Sequence, residues 1–313
     1  MSDGVSAVIA SLNGKDKIDT HLPTVIRALD KSGCEYEVLV IDDGSTDGTV
    51  EFVRSRYPEV NVIGLAKRHG AEEARNIGFR KARFDHILCL DNDISLDPDF
   101  FHSILSYFDD PSVFAVTTRI MDMTGQVQLF GKANCSFSKG MFITKMLPSV
   151  DFPSVTLFAS TAASIFDRNK ALELGGFDPL FGSAHLMDMA LSYRAWKRGW
   201  RVIYEPRSAS YHEVSGTRAK LFTGQQRRQL ELRNKLIFAW KNLTDVPMLV
   251  RHALFLPPRL AFWGLSGKWW GIPAFLKALR FLPEVKRRKR EQSGKLRISD
   301  REVRERVNGV GIS

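Results

Sequence analysis

The sequence predicts an α/β fold in which a mainly parallel sheet is covered by helices. Over the first hundred residues, short apolar runs rich in β-branched residues alternate with segments whose apolar residues have helical spacing. Acidic or amide side chains follow several of these runs directly. Because open sheets of this kind bind ligands at the carboxyl ends of their strands, we expect a functional site there.

The predicted elements follow from these patterns of apolar residues. Strands are predicted at 5–10, 36–41, 61–65, 86–90 and 201–204, and helices at 22–31, 48–56, 71–81, 100–107 and 189–198. Asp97 and Asp99 fit the N-cap and the first turn of the helix at 100–107, so we assign both to structure and not to the site.

Composition limits the class of protein. The 313 residues include three well-separated cysteines, Cys34, Cys89 and Cys135, which form no Cys-x-x-Cys pair and no zinc-ligand spacing. We therefore expect no disulfide framework, and a reducing cytosol as the compartment. The first residues, MSDGVSAVIASLNG, lack the basic and apolar parts of a secretory signal, and no apolar stretch has the length of a membrane span.

Asp91 and Asp93 follow the fourth predicted strand and are separated by one residue. Residues two apart in a strand point to the same side, so these carboxylates repel each other unless a cation lies between them or one is protonated. No Gly-x-Gly-x-x-Gly follows the first strand and no P-loop motif occurs, which removes the common backbone cradles for phosphate. A divalent metal held by these carboxylates could bind a diphosphate instead.

Five segments in order resemble glycosyltransferase family 2, the inverting nucleotide-sugar transferases of the GT-A fold. They are VSAVIASLN, VLVIDDGSTDGT, EEARNIGFRKA, LCLDNDI, and ELGGFDPLFG with MDMALSYRAWKRGWRV. The resemblance covers about residues 4–243. It implies a Rossmann-like GT-A catalytic domain, placed at 1–245. The residues themselves predict a basic, amphipathic helical region at 246–313.

The resemblance also implies where the donor nucleotide binds. It would lie across the first two strand ends, with Asp42 bonding the base and Arg75 beside it. Ser11, Asn13 and Asp91 complete the predicted donor site. An alternative for Arg75, which follows two glutamates on a predicted helix, is a surface ion pair that contributes little.

A metal site and a catalytic base are implied in the same way. Asp91 and Asp93 match the family's D-x-D motif, and His212 matches a histidine often found near the metal or the diphosphate. Either Mn²⁺ or Mg²⁺ is expected, and imidazole suits manganese better. Asp188 matches the base that deprotonates the acceptor hydroxyl, although Met187 stands where the family usually has glutamate. The structural alternative for Asp188 is a helix cap.

The basic charge lies in the last part of the chain. Residues 1–250 contain 30 Lys and Arg against 30 Asp and Glu, whereas residues 251–313 contain 15 against 5. A helix starting at Pro273 would have one apolar face and a basic side, which predicts binding to an anionic membrane surface and not to nucleic acid. The alternative is that Trp263, Trp269 and Trp270 pack on the catalytic domain or on another subunit. Residues after about 290 are predicted to be mobile or weakly helical.

The combined prediction is a metal-dependent inverting transferase on the inner face of the cell membrane. It would move a single sugar from a UDP- or dTDP-linked donor to a polyprenyl-linked or cell-surface glycan acceptor. Arg233-Asn234 and the basic tail are similar to features of bacterial rhamnosyltransferase-like enzymes of polysaccharide synthesis. Two alternatives stay open: a sugar nucleotidyltransferase, and a degenerate binding subunit without activity.

Overall fold

A nine-stranded mixed sheet lies at the centre of this computed structural model, which describes residues 4–127, 131–148, 150–182, 186–213, 223–267 and 269–309. The strands are β1 (Gly4–Ser11), β2 (Glu35–Asp42), β3 (Asn61–Gly64), β4 (His86–Asp91), β5 (Ile94–Leu96), β6 (Val113–Asp122), β7 (Ala133–Ser138), β8 (Met141–Met146), β9 (Ser154–Val155), β10 (Ala163–Asp167) and β11 (Arg201–His212).

Helices pack around this sheet, as the alternating sequence pattern predicts. They are α1 (Lys15–Ser32), α2 (Thr49–Arg56), α3 (Ala71–Lys81), α4 (Arg168–Glu173), α5 (Met187–Lys197), α6 (Gly224–Asn242), α7 (Val246–Leu265), α8 (Gly271–Arg280), α9 (Leu282–Ser293) and α10 (Asp300–Asn308). Two short 3-10 helices lie at Leu105–Asp109 and Pro179–Phe181.

The strand order across the main sheet is β3-β2-β1-β4-β10-β6-β11-β5, with β9 paired to β11. β1 to β4 are parallel to one another, and β10 lies antiparallel between β4 and β6. β7 and β8 form a separate hairpin. The predicted α/β fold with a mainly parallel mixed sheet is confirmed.

The strand register brings the predicted site residues to one edge of the sheet. Ser11 at the end of β1 lies opposite Asp42 at the end of β2, and Ala10 lies opposite Asp91 at the end of β4. On the far side of the sheet, β11 is antiparallel to β5 and places His212 opposite Ile94, next to Asp93. Polar ends of four strands therefore lie along the same edge.

Two predicted helix positions are wrong. α1 begins at Lys15 and not at residue 22, because Ile18 is the one apolar residue among 15–21 and gives too little periodicity to predict a helix. The segment 100–107 is not an α-helix but a series of turns leading into a 3-10 helix. Phe100 and Phe101 are both buried there, so packing and not a helical hydrogen-bond ladder fixes the segment.

The C-terminal helices also differ from prediction. α10 is docked and not mobile: Val303 and Val307 are buried, and the Asn308 side chain donates to the carbonyl of Cys135 at 2.9 Å. Trp263 packs inward and is buried, as the alternative for the tryptophans expected, whereas Trp269 is 64% exposed. Among the described residues, none of the helices has both the length and the apolar character that crossing a bilayer needs.

Candidate active site

The turn after β2 forms the first part of the candidate site. The Asp42 carboxylate, which is buried, accepts hydrogen bonds from the Ser45 hydroxyl and from the Ser45 backbone N–H at 2.9 Å. Asn13, in the left-handed region at φ 49°, accepts the Thr46 N–H at 2.9 Å through Oδ1, and its own N–H donates to Ser45 Oγ. The ends of β1 and β2 are thus held together as one surface.

Asp43 has a structural role in this turn. Its carboxylate accepts the backbone N–H groups of His69 at 2.6 Å and Gly70 at 2.9 Å, which join the end of β2 to the loop before α3. Asp43 therefore stabilises the turn, and the donor site predicted from the sequence includes Asp42 and not Asp43.

Arg75 and Asp91 form a largely buried ion pair at the end of β4. The Arg75 side chain is 2% exposed, so the surface ion pair considered from the sequence is wrong. Nε and Nη1 of Arg75 are buried without a hydrogen-bond acceptor among the described residues. Such donors are costly to leave unsatisfied, so this guanidinium retains capacity for a ligand acceptor.

Asp93 lies between two other basic groups. Its Oδ2 is 3.2 Å from Nζ of Lys17, and its Oδ1 is 3.4 Å from Nε2 of His212. Burial alone would raise the pKa of this carboxyl, but the hydrogen bond and charge of His212 and the charge of Lys17 outweigh burial and hold the pKa well below its usual range. Asp93 is therefore ionised near neutral pH.

Lys17, His21 and Glu213 are neighbours of the site that the sequence did not indicate. Lys17 and His21 are one turn apart on α1, and His21 is buried, with Nδ1 2.8 Å from Ser95 Oγ and Nε2 2.9 Å from Glu213 Oε2. The Glu213 N–H donates to the Asp93 carbonyl at 3.0 Å. Through these contacts α1 holds Glu213, which directly follows His212, and Ser95 on the neighbouring strand β5.

Asp188 approaches the end of β4 from α5. Burial raises the pKa of the Cys89 thiol to about 12; the charges of Asp91 and Asp188 act in the same direction, and the charge and hydrogen bond of Arg75 oppose them. The charge of Asp188 therefore acts on the Cys89 thiol, as do the charges of Arg75 and Asp91. It does not cap the helix: Leu186 is the N-cap residue of α5, and Asp188 Oδ1 accepts the N–H of Met189 at 2.8 Å.

The loop that leads to α5 is held by side chains from two helices. Asn76, next to Arg75 on α3, donates to the Phe177 carbonyl and accepts the Phe177 N–H, both at 2.8 Å. On α6, Arg233 and Asn234 each donate to the Phe181 carbonyl at 2.8 Å. The sequence pairs Arg75-Asn76 and Arg233-Asn234 therefore position the backbone close to Asp188.

Asp93 and His212 fit a divalent metal ion. Together they offer an ionised carboxylate and an imidazole, a donor set that suits manganese and leaves coordination positions for diphosphate oxygens and water. In the part of the chain that the structure describes, no three His, Cys, Asp or Glu side chains form a cluster that could hold a metal by themselves. The carboxylate of Asp91, the third predicted ligand, lies against Arg75.

The family model described as "Glycosyl transferase family 2" matches residues 6–170, more than half of the chain. The chain belongs to glycosyltransferase family 2. The match includes the strands and turns that carry Ser11, Asn13, Asp42 and the Asp91/Asp93 pair, and helix α3, which carries Arg75. Family 2 membership supports a glycosyltransferase over the sugar nucleotidyltransferase that the sequence left open.

Curated relatives of this family 2 chain include poly-beta-1,6-N-acetyl-D-glucosamine synthases. The one from Staphylococcus aureus is 27% identical over 210 residues, which cover 65% of this chain and 48% of the relative. The one from Staphylococcus epidermidis is 24% identical over 220 residues, covering 69% and 51%. The chain spans about half the length of the curated relatives it matches.

Solved structures share the GT-A fold of this family 2 chain. S. aureus TarS 1–349 in complex with UDP-GlcNAc has a TM-score of 0.59 and 15% identity, and the match covers 96% of this chain and 90% of TarS. The mannosyltransferase PcManGT from Pyrobaculum calidifontis, in complex with GDP-Man and Mn²⁺, has a TM-score of 0.54 and 19% identity, and the match covers 88% and 74%. At these identities the comparison shows the fold.

Proposed function

We propose that this protein is an inverting glycosyltransferase that moves one sugar from a nucleotide-diphosphate donor to a glycan or polyprenyl-linked acceptor. The observation that carries the proposal is the largely buried Arg75–Asp91 ion pair at the end of β4, beside the Asp93–His212 pair and close enough to Asp188 for all three charges to shift the pKa of the Cys89 thiol in the same strand. Donor-binding groups and a candidate base therefore approach one point at the carboxyl edge of the sheet.

Donor binding is assigned to the surface formed by Ser11, Asn13, Asp42, Arg75 and Asp91. Two Arg75 nitrogens have no hydrogen-bond acceptor among the described residues. They favour binding of an oxygen atom of the nucleotide-sugar donor beside the Arg75–Asp91 ion pair. The donor is proposed to be UDP- or dTDP-linked, and the UDP-GlcNAc bound to TarS, which has the same fold, supports the UDP form. Two solved structures of similar fold, GalNAc-T7 and PcManGT, contain Mn²⁺, which supports the proposal that this protein uses a divalent metal.

The metal is proposed to be held by Asp93 and His212, with Asp91 as the further predicted ligand. When bound, such an ion neutralises charge that develops on the leaving nucleotide diphosphate. Lys17, 3.2 Å from Asp93, adds a positive charge on the same side. His21 and Glu213 hold the chain that carries His212, so these residues keep the imidazole directed at Asp93.

Asp188 is proposed to act as the general base. It accepts the proton of the acceptor hydroxyl while the acceptor oxygen bonds to the anomeric carbon and the bond from that carbon to the diphosphate oxygen breaks. A single displacement inverts the configuration at the anomeric carbon. Hydrogen bonds from Asn76, Arg233 and Asn234 hold the backbone of the loop before α5. This keeps Asp188 in position for the reaction.

The acceptor and the place of reaction belong to the same proposal. Three free cysteines agree with a reducing compartment, and the basic charge of residues 251–313 favours the inner, anionic face of the cell membrane. There the enzyme would meet a polyprenyl-linked acceptor. The named activity of the staphylococcal relatives, synthesis of an N-acetylglucosamine polymer, supports a role in polysaccharide synthesis.

The Asp188→Asn variant tests this function. Hydrolysis and transfer from UDP-N-acetylglucosamine and dTDP-rhamnose should depend on Mn²⁺ or Mg²⁺ in the unmodified protein and fall about 10²- to 10⁴-fold in the variant, because the base is lost. Nucleotide affinity should stay unchanged, since Asp188 is proposed to contact the acceptor hydroxyl and not the nucleotide of the donor. Asp99→Asn, an exposed acid paired with Lys31 away from the site, is the matched control. Full turnover by Asp188→Asn would exclude this role.

A further inference from the structure

One side of α7 is fixed against the catalytic part of the protein. His252 is buried, with Nδ1 donating to the Gly140 carbonyl at 2.6 Å and Nε2 accepting the indole N–H of Trp240 at 2.9 Å. Arg259 donates to the Lys139 carbonyl at 2.6 Å, and Trp263 is buried nearer the C-terminal end. These contacts fix which side of the helix faces outward.

The outward side of α7 is apolar. Val246, Val250, Leu254 and Leu265 are 68%, 50%, 68% and 89% exposed. At 100° per residue these four lie within one stripe of about 100°, which we call the α7 apolar face. The helix has 20 residues, so the face extends for about 30 Å. Pro257 and Ala261, which are also exposed, lie in the same stripe between Leu254 and Leu265. Isolated apolar side chains on a surface are ordinary, but a face that extends over the whole helix indicates a binding surface.

The chain segment that forms this face and the next helix carries charge of one sign. The sequence between Asp245 and Glu284 contains no acidic residue and five basic ones: Arg251, Arg259, Lys268, Lys277 and Arg280. On α8, which packs on α7, Leu276 and Leu279 are exposed together with Lys277 and Arg280. Trp269, between the two helices, is 64% exposed, and tryptophan is enriched where proteins meet the interface of a bilayer.

We propose that the α7 apolar face binds the surface of an anionic bilayer, with α7 parallel to the membrane plane. Its aliphatic side chains would enter the boundary between head groups and acyl chains, and nearby basic residues would be attracted to the anionic lipid head groups. This proposal rests on the proposed location of the enzyme at the cell membrane and names the surface that would bind there. It does not depend on which sugar is transferred.

Other occupants fit this surface less well. Nucleic acid would meet the basic side chains but leaves the aliphatic stripe without a partner. A second copy bound through the same face in a two-fold dimer would bring two basic regions together, and the like charges would repel. An anionic bilayer satisfies both the apolar and the basic parts of the surface.

Sedimentation of the full chain with lipid vesicles tests the inference. The protein should sediment with vesicles of phosphatidylcholine with about 30% phosphatidylglycerol far more than with phosphatidylcholine alone, and added salt should weaken binding because the attraction is screened. The double variant V250S/L254S should lose binding at least tenfold. Both positions are exposed, so the fold should be unaffected, which circular dichroism checks. Phe152→Ser, exposed at a distant position in the sequence, is the matched control.

Equal sedimentation with neutral and anionic vesicles, or unchanged binding by V250S/L254S, would overturn the inference. A wild-type dimer that V250S/L254S converts to monomer, with no vesicle binding, would also overturn it and assign the face to a second copy. Asp188→Asn should bind vesicles like the unmodified protein. If V250S/L254S loses vesicle binding while no donor is turned over by any form, the docking surface stands and the proposed transferase activity fails.

Discussion

At the scale of single residues, the two acids of the D-x-D segment are not a strand pair. β4 ends at Asp91 and β5 begins at Ile94, so Asn92 and Asp93 form a turn and the strand alternation assumed from sequence does not apply. Each acid has its own cation from elsewhere in the chain, Arg75 for Asp91 and Lys17 for Asp93. The repulsion expected between them is therefore offset without a shared proton.

Glu213→Ala tests the positioning of His212 by its neighbours. Removing the carboxylate leaves buried His21 without its Nε2 partner and frees the chain next to His212. We expect the Mn²⁺ concentration needed for half-maximal nucleotide binding to rise about tenfold or more, the usual cost of losing a residue that orients a ligand. Nucleotide titrations at several Mn²⁺ concentrations measure this. Glu51→Ala, in the exposed first turn of α2, is the control, and an unchanged Mn²⁺ requirement in Glu213→Ala would contradict the role.

At the scale of elements, Asp178 joins the loop before α5 to the C-terminal helices. The buried carboxylate contacts Lys241 on α6 and lies 2.9 Å from Arg288 on α9. Burial alone would raise the pKa of Asp178, but the charges of Lys241 and Arg194 outweigh it and lower the pKa. A buried charge with several partners costs most when one partner is removed alone.

Asp178→Asn should lower the free energy of unfolding by about 3–5 kcal/mol at pH 7, because Lys241 and Arg194 remain buried without a counter-charge. A lowered carboxyl pKa stabilises the fold above the unfolded pKa of about 3.9 and loses that effect as pH falls through the folded value. The unmodified protein should therefore lose more stability between about pH 5 and 3 than the variant. Urea unfolding at each pH measures both effects.

The exposed pair of Arg119 and Asp151 provides the control for this prediction. The Asp151 side chain is 92% exposed, so Asp151→Asn should change the free energy of unfolding by less than about 1 kcal/mol. Equal destabilisation by the two substitutions would show that the Asp178 cluster has no special role in joining these helices.

At the scale of the whole molecule, hydrogen bonds join α10 to α5 and to the turn before α7. The Asp300 carboxylate, fully buried at the start of α10, accepts the Tyr193 hydroxyl at 2.8 Å and Lys197 Nζ at 2.9 Å on α5. It also accepts the N–H groups of Thr244 and Asp245, at 2.6 and 2.8 Å, in the turn before α7. The orientation of α7, and so of its apolar face, depends on this contact.

Deleting residues 295–313 should destabilise the protein by several kcal/mol, because Lys197 and Tyr193 lose the buried acceptor Asp300. The melting temperature of the shortened chain, with and without UDP and Mn²⁺, measures this. Deleting only residues 310–313 is the matched control and should leave the melting temperature unchanged. A mobile tail, as the sequence suggested, would give the same melting temperature for both deletions.

The sequence predicted those parts of the structure that local patterns encode. Apolar runs followed by acids placed Asp42 and Asp91 correctly at strand ends, and Asp93 lies in the turn that follows β4. Lys17 was missed because the first turns of α1 are polar and exposed, and its contact with Asp93 joins residues 76 positions apart. Packing of α10 depends on Asp300 meeting α5, which no local pattern records. Contacts between distant segments are therefore what the sequence alone left open.

The most direct test of the central claim is the metal dependence of nucleotide binding. The account predicts that UDP or dTDP, titrated calorimetrically, binds the unmodified protein more tightly with Mn²⁺ than with EDTA, and that Asp93→Asn removes this difference while Asp99→Asn keeps it. Equal affinity with and without Mn²⁺ in the unmodified protein, or a full Mn²⁺ effect in Asp93→Asn, would contradict the assignment of Asp93 and His212 as the metal site.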